Sequence, residues 1–144
     1  MNKIDTLQSL TQTTYDSVEG YRKAIETAES PAIKSALQNR LSSREKTLEM
    51  LNSSLESNGG DRVNSTSATA SAHQMFMSIA DAFEDSNEAA IERVEEGEDY
   101  IAGQFKDALE DNDIEPAFRS VIETAYQEVR EGERFSDMME REYA

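Results

Sequence analysis

Apolar residues recur at alternating steps of three and four along four long stretches of the chain. In the first stretch, Leu7, Val18 and Ile25 belong to such a series, and the spacing places them on one face of an α-helix. The same spacing predicts long helices at about 2–28, 31–57, 86–111 and 115–142. Because each helix has only one apolar face, the four faces must pack together, which predicts an all-α, four-helix bundle in one domain of residues 1–144.

A shorter apolar series between the second and third long helices predicts a crossover helix at about 66–84. A helix of about 18 residues spans roughly 27 Å, which is enough to return the chain along a bundle. A long connection at this point is typical of the ferritin-like arrangement. A short internal repeat, Pro-Ala-Ile-Lys-Ser at 31–35 and Pro-Ala-Phe-Arg-Ser at 116–120, indicates two copies of one helical hairpin. We therefore predict a ferritin-like four-helix bundle with a crossover helix.

The composition restricts the function. The chain has 30 acidic and 14 basic residues and a formal net charge of −16, so its surface repels nucleic acid and anionic membranes. It has no cysteine, which excludes a disulfide framework, a thiol nucleophile and an iron–sulfur cluster. Neither an apolar run of about 18 residues nor the apolar core of a signal peptide is found in the sequence. We expect a cytoplasmic protein with neither nucleic acid nor membrane as a partner.

The metal-binding pattern of ferritin-like enzymes is incomplete in this sequence. A di-iron or di-manganese bundle needs two Glu-x-x-His motifs in addition to two further glutamates. The chain has a single histidine, His73, in the predicted crossover helix, so it cannot supply both motifs. The sequence also lacks a Ser-His-Asp set, a phosphate-binding loop and a nucleotide fingerprint. We therefore expect no cofactor, no metal and no catalytic residue.

Charged residues nevertheless occur on the apolar faces. Glu98 lies in the middle of the third long helix, and Arg40 and Arg44 lie in the middle of the second. A lone buried carboxylate is costly, so an arginine from a neighbouring helix is its natural partner. Gly132 on the fourth helix leaves room for a long side chain. We predict a buried polar centre with a Glu98–Arg44 pair; the alternatives are a degenerate metal site at Glu98 and side chains that reach solvent.

Two surfaces are candidates for contact with an unidentified protein partner. His73, Met75 and Phe76 lie together in the predicted crossover helix, where Met and Phe offer an adaptable apolar contact. The acidic face of the third long helix is suited to a basic protein. A homodimer is also expected, because symmetric dimers are the commonest closed assembly and because large side chains near the C-terminus extend beyond one helix face, namely Phe135, Met138 and Tyr143.

Four short segments resemble a known family. They are Glu-Gly-Tyr-Arg-Lys-Ala at 19–24, Ala-His-Gln-Met-Phe at 72–76, Gly-Glu-Asp-Tyr at 97–100 and Asp-Ala-Leu at 107–109. Over nearly the whole chain the sequence is similar to bacterial four-helix-bundle proteins called domain of unknown function 2383. The resemblance implies membership of the ferritin-like superfamily and no established activity. The family pattern has a Gly-Glu pair in the first helix as well, whereas this chain has Ser17 and Val18 there, which argues against metal chemistry.

Three functional hypotheses follow. The first is a non-catalytic, ferritin-like binding or stress-associated protein with a degenerate metal site. The second is a di-metal oxidoreductase or metal-storage protein that uses Glu98 with unusual ligands. The third is an acidic helical adaptor for a protein partner.

Overall fold

A computed structural model describes residues 4–65, 85–111 and 114–143. These residues form four helices, which we label α1 (Ile4–Thr27), α2 (Pro31–Ser57), α3 (Ser86–Glu110) and α4 (Pro116–Tyr143). They contain no strand, so the predicted all-α, four-helix bundle is confirmed. The predicted crossover helix at 66–84 lies outside the described residues. The ferritin-like classification stays a prediction.

Capping residues explain where the helices begin and end. The Ser30 side chain accepts a hydrogen bond from the backbone N–H of Ile33, and Pro31 occupies the first turn of α2. After α2, Gly59 adopts a φ of 86°, in the left-handed region that favours glycine. At the start of α3, the Asp85 carboxylate accepts hydrogen bonds from two backbone N–H groups of the first turn. Local sequence signals thus fix these ends.

The order of the helices places α2 and α3 parallel to each other. At the start of α3, the Asn87 side chain accepts hydrogen bonds from the backbone N–H groups of Glu29 and Ser30, just beyond the end of α1. Helices α1 and α3 therefore run in opposite directions, as do α1 and α2, which are joined by a short connection. Consequently the end of α2 and the start of α3 lie at opposite ends of the bundle. An up-down-up-down bundle would bring these two points together.

The chain begins to turn back directly after α2. The Asn52 side chain donates to the carbonyl oxygen of Val63 at 3.1 Å and accepts from its backbone N–H at 2.8 Å. The Gln12 side chain on α1 donates to the carbonyl oxygen of Ser65 at 2.9 Å. These bonds hold residues 61–65 against the helical pair α1–α2.

The buried interior has two apolar clusters with a polar layer between them. The first cluster lies at the end of the bundle where α1 and α4 begin, and it includes Leu7, Leu55, Phe105 and Ile122. The second lies at the other end and includes Tyr21, Ile33, Ile91 and Met139. Between them, the four helices place buried polar side chains, namely Thr14, Ser17, Arg44, Thr47, Glu98 and Ser136. Among the described helices, none is both long and apolar enough to cross a membrane.

Candidate functional site

The centre of the polar layer is the guanidinium group of Arg44. This residue lies in the middle of α2 and is 0% exposed, and Glu98 in the middle of α3 is 1% exposed. Two parallel hydrogen bonds join them, from Nη1 to Oε1 at 2.7 Å and from Nη2 to Oε2 at 2.8 Å. Such a two-point geometry is the strongest form of an arginine–carboxylate pair. The structure thus brings together the two residues of the predicted buried pair.

Arg44 also contacts the two remaining helices. Its Nη1 donates to the Ser17 hydroxyl on α1 at 2.5 Å, and its Nε donates to Glu128 Oε1 on α4 at 2.8 Å. The Cζ atom lies 5.6 Å from the centre of the Tyr21 ring, within the range of a cation–π interaction. The Arg44 side chain on α2 therefore binds groups on α1, α3 and α4. These bonds hold the four helices in fixed positions relative to one another.

A second ion pair extends the network toward the surface. The Arg40 Nη2 group donates to a carboxylate oxygen of Glu128 and, at 3.0 Å, to the backbone carbonyl oxygen of the same residue. Glu128 therefore lies between the two arginines, and charges of opposite sign alternate from Glu98 through Arg44 and Glu128 to Arg40. Two cations and two anions balance within this group, which we call the ionic layer. Balanced charge is what makes burial of such groups tolerable.

The protonation states of the ionic layer follow from its geometry. Burial by itself lowers the pKa of Arg44, but Glu98, Tyr21 and Glu128 together outweigh burial and leave the pKa above its ordinary value. Burial raises the pKa of the Tyr21 hydroxyl, and the negative charge of Glu98 raises it further. Arg44 is therefore a permanent cation and Tyr21 a permanently protonated phenol, so neither of them can act as a base near neutral pH.

Gly132 on α4 provides the space that the pair occupies. A Cβ atom at this position would collide with Glu98 Oε2 and would lie 2.7 Å from Arg44 Nη2. A glycine is therefore required here by volume, since the helical backbone of α4 passes directly beside the two charged groups. The structure places Gly132 directly beside Glu98 and Arg44.

The ionic layer does not fit a metal ion. Both oxygens of Glu98 accept hydrogen bonds from Arg44, and a guanidinium cation at this position repels a second cation. Within the described segments, no three His, Asp or Glu side chains converge so that they could hold a metal ion. The arrangement is that of an ion pair, in which both oxygens of Glu98 face the Arg44 guanidinium.

Two hydrogen-bond partners of Arg44, Glu128 and Ser17, are not among the predicted site residues. Glu128 was not singled out because it lies beside Val129, at the margin of the apolar face of α4. A signal was present, since Glu128 lies four residues before Gly132 and therefore on the same helix face. Ser17 enters the prediction only as a departure from the family pattern, whereas in the structure its hydroxyl accepts a hydrogen bond from Arg44. The predicted partner residues His73, Met75 and Phe76 lie outside the described residues.

A second concentration of charge lies along the α3–α4 face. We call it the acidic face, and its carboxylates are Glu92, Glu95, Glu96, Asp99, Glu133, Asp137 and Glu140. Burial raises the pKa of Glu95 to about 7; a nearby Ser136 hydroxyl opposes this shift, and the charge of Asp99 adds to it. Burial, followed by the charges of neighbouring carboxylates, also raises the pKa values of Glu92, Asp99 and Glu133. The acidic face is therefore a region of mutual repulsion.

The C-terminal residues considered for a dimer differ in their environments. Phe135 is partly buried and packs against the second apolar cluster of its own chain. Met138 and Tyr143 are 43% and 40% exposed. Two of the three side chains are therefore accessible, and the homodimer stays a prediction.

Comparison with known proteins gives two matches. A family model described as domain of unknown function matches residues 2–112, which include α1 to α3 but not α4. A solved structure, YcfI from Rhodopseudomonas palustris, which has been suggested to be a structural protein, matches with a TM-score of 0.68. The two sequences are 16% identical, and the match covers 95% of this chain and 94% of that chain. This likeness shows the fold alone. Comparison with curated proteins gives no match.

Proposed function

The chain belongs to the family called domain of unknown function 2383, and we propose that it is a non-catalytic, ferritin-like bundle that acts as a structural or binding protein, in a stress-associated role. In such a protein the bundle itself is the functional part, because partners contact its outer faces. The centre serves to hold the four helices in one arrangement.

One observation carries this proposal, namely the bidentate pair between Arg44 and Glu98. Ferritin-like enzymes place their metal ligands at the centre of the bundle, and in this chain the same region contains a neutralised ion pair. Each charged group of the pair is already bound by the other, and Arg44 is held by Ser17 and Glu128 as well. Charged groups that neutralise one another in this way can position helices, but they leave no unpaired charge at the centre to bind a metal ion.

Metal analysis of the protein purified without a chelator tests the proposal. We expect iron and manganese far below one ion per chain, and no change in the unfolding midpoint when either ion is added. Near-stoichiometric metal that is lost in Glu98→Gln but kept in the surface variant Glu110→Gln would contradict the proposal. That result would favour the alternative of a di-metal oxidoreductase or metal-storage protein.

The acidic face favours a second candidate function, that of an adaptor for a basic partner. Its carboxylates repel one another, and a cationic ligand would relieve the repulsion that adds to the effect of burial in raising the pKa values of Asp99 and Glu133. A lysine-rich peptide is a suitable probe, with a glutamate-rich peptide of equal length as its control. We expect binding of the first peptide only, and a steep loss of affinity as salt is added.

Paired variants locate this binding. Asp99→Asn with Glu133→Gln removes two charges from the acidic face, whereas Glu26→Gln with Glu131→Gln removes two charges from elsewhere on the surface. We expect affinity for the lysine-rich peptide to fall several-fold more in the first variant. Equal losses in both variants would mean that the peptide responds to net charge only, and the adaptor function would then be rejected.

A further inference from the structure

A narrow cleft between α1 and α3 leads from the surface to the ionic layer. Ser17, Gly20 and Tyr21 line one side, and Arg93, Val94, Gly97 and Glu98 line the other. Two of the lining residues, Gly20 and Gly97, contribute no side chain to its walls. Its volume is about 10 Å³, which is close to the smallest volume that holds one water molecule. A metabolite or a nucleotide is far too large for it.

The Tyr21 hydroxyl, beside this cleft, needs a hydrogen-bond partner. The residue is 3% exposed, and its hydroxyl lies close enough to the Glu98 carboxylate for that group to raise the Tyr21 pKa, yet the hydroxyl makes no hydrogen bond of regular geometry to a described residue. A buried hydroxyl without a partner is costly, and such groups in folded proteins are nearly always bonded to protein or to ordered water. Tyr21 remains protonated in this environment, so it has an O–H to donate.

The nearby Glu98 carboxylate has capacity for a further bond. Each of its two oxygens accepts one hydrogen bond from Arg44, and a carboxylate oxygen can accept two. The Ser17 hydroxyl, which accepts from Arg44, still has its own proton to donate. The Tyr21 hydroxyl is a donor, and the Glu98 carboxylate and the Ser17 hydroxyl can each make a further hydrogen bond. These three groups line a space of the size of one water molecule, and they supply the number of polar partners that a buried water requires.

We propose that this cleft binds one ordered water molecule, which accepts a hydrogen bond from the Tyr21 hydroxyl and donates one to the Glu98 carboxylate. A neutral ligand fits because the space holds only one water-sized molecule and because the Glu98–Arg44 pair is already balanced in charge. The bound water joins α1 to α3 and forms the link between the buried ion pair and solvent.

A crystal structure of the full chain, at a resolution that shows ordered water, tests the proposal directly. We expect density for a water within hydrogen-bond distance of both the Tyr21 hydroxyl and a Glu98 oxygen, and its loss in Tyr21→Phe. A direct hydrogen bond between Tyr21 and Glu98, or a cleft without water density, would overturn the proposal.

Thermal unfolding provides an independent test. Tyr21→Phe keeps the ring beside Arg44 and removes only the hydroxyl, so it leaves the bound water with one partner fewer. We expect the unfolding midpoint to fall by roughly 3–5 °C. The matched control, Tyr143→Phe, removes an exposed hydroxyl and is expected to change the midpoint by less than about 1 °C. A midpoint that rises in Tyr21→Phe would show a hydroxyl buried without a partner, and the proposal would fail.

Discussion

Arg44 and Glu98 meet at the centre of the bundle through two parallel hydrogen bonds of 2.7 and 2.8 Å. Because both side chains are fully buried, each is the main counter-charge of the other. Removing one partner leaves a buried charge without compensation, and we expect Glu98→Gln or Arg44→Met to lower the free energy of unfolding by about 3–5 kcal/mol. Denaturant titration of each variant measures this loss.

The double variant distinguishes an interaction from two separate losses. Glu98→Leu combined with Arg44→Met replaces the pair by apolar side chains of similar volume, which often costs little. We expect the double variant to recover much of the single-variant loss, and a double-mutant cycle quantifies the coupling. Losses that simply add would show that the two side chains do not stabilise each other.

Gly132 gives a prediction in which the same substitution has opposite effects at two positions. In Gly132→Ala the new methyl group meets the Glu98 carboxylate and the Arg44 guanidinium, and we expect a loss of roughly 1–3 kcal/mol from overpacking. The control is Gly103→Ala on α3, where a Cβ atom meets nothing within 4 Å. There the higher helix propensity of alanine should add about 0.5–1 kcal/mol.

Urea unfolding of the two alanine variants, measured side by side, checks this contrast. A stabilised Gly132→Ala protein would mean that the ion pair moves aside without cost, and that the glycine is not required for its geometry. A destabilised Gly103→Ala protein would instead point to a contact of that position with a part of the protein that the described residues do not include.

Asn52 is expected to hold the start of the α2–α3 connection. Its side chain makes two hydrogen bonds with the backbone of Val63 in a buried position. Asn52→Ala leaves both backbone groups without partners, and we expect a loss of about 1–3 kcal/mol. Asn39→Ala on the exposed side of α2 is the matched control, with an expected change within about 0.5 kcal/mol. Faster hydrogen exchange at the Val63 amide would locate the effect, and unchanged exchange would contradict it.

The sequence predicts the helices better than the contacts at their centre. Steps of three and four residues determine which face of a helix is buried, and local caps such as Ser30 and Asp85 mark the starts, so the four helices follow from short-range patterns. Whether two side chains from different helices meet depends on the relative heights and rotations of those helices. The Glu98–Arg44 pair could be predicted because a buried carboxylate on one helix needs an arginine from a neighbouring helix. Glu128 could not, because its contact arises from the close approach of α2 and α4.

The acidic face makes stability depend on pH in a direction opposite to that of most carboxylates. Burial and neighbouring charges raise the pKa of Glu95 to about 7 in the folded state, whereas an unfolded glutamate titrates near its ordinary value of about 4.3. Between these values the folded chain binds the proton more tightly than the unfolded chain does. The favourable contribution is therefore fully present below about pH 4 and is lost as the pH rises through 7.

We accordingly expect the unfolding midpoint to rise when the pH is lowered from about 8 to about 5, since Glu92, Asp99 and Glu133 shift in the same direction. Glu95→Gln removes the most strongly shifted group, so this variant should be more stable than the parent protein at pH 8 and should depend less on pH. Glu131→Gln, on another face of α4, should leave the pH dependence unchanged. Thermal unfolding at several pH values and constant ionic strength measures all three proteins. If the parent midpoint stayed constant or fell between pH 8 and 5, the carboxylates of the acidic face would not repel one another as their positions indicate.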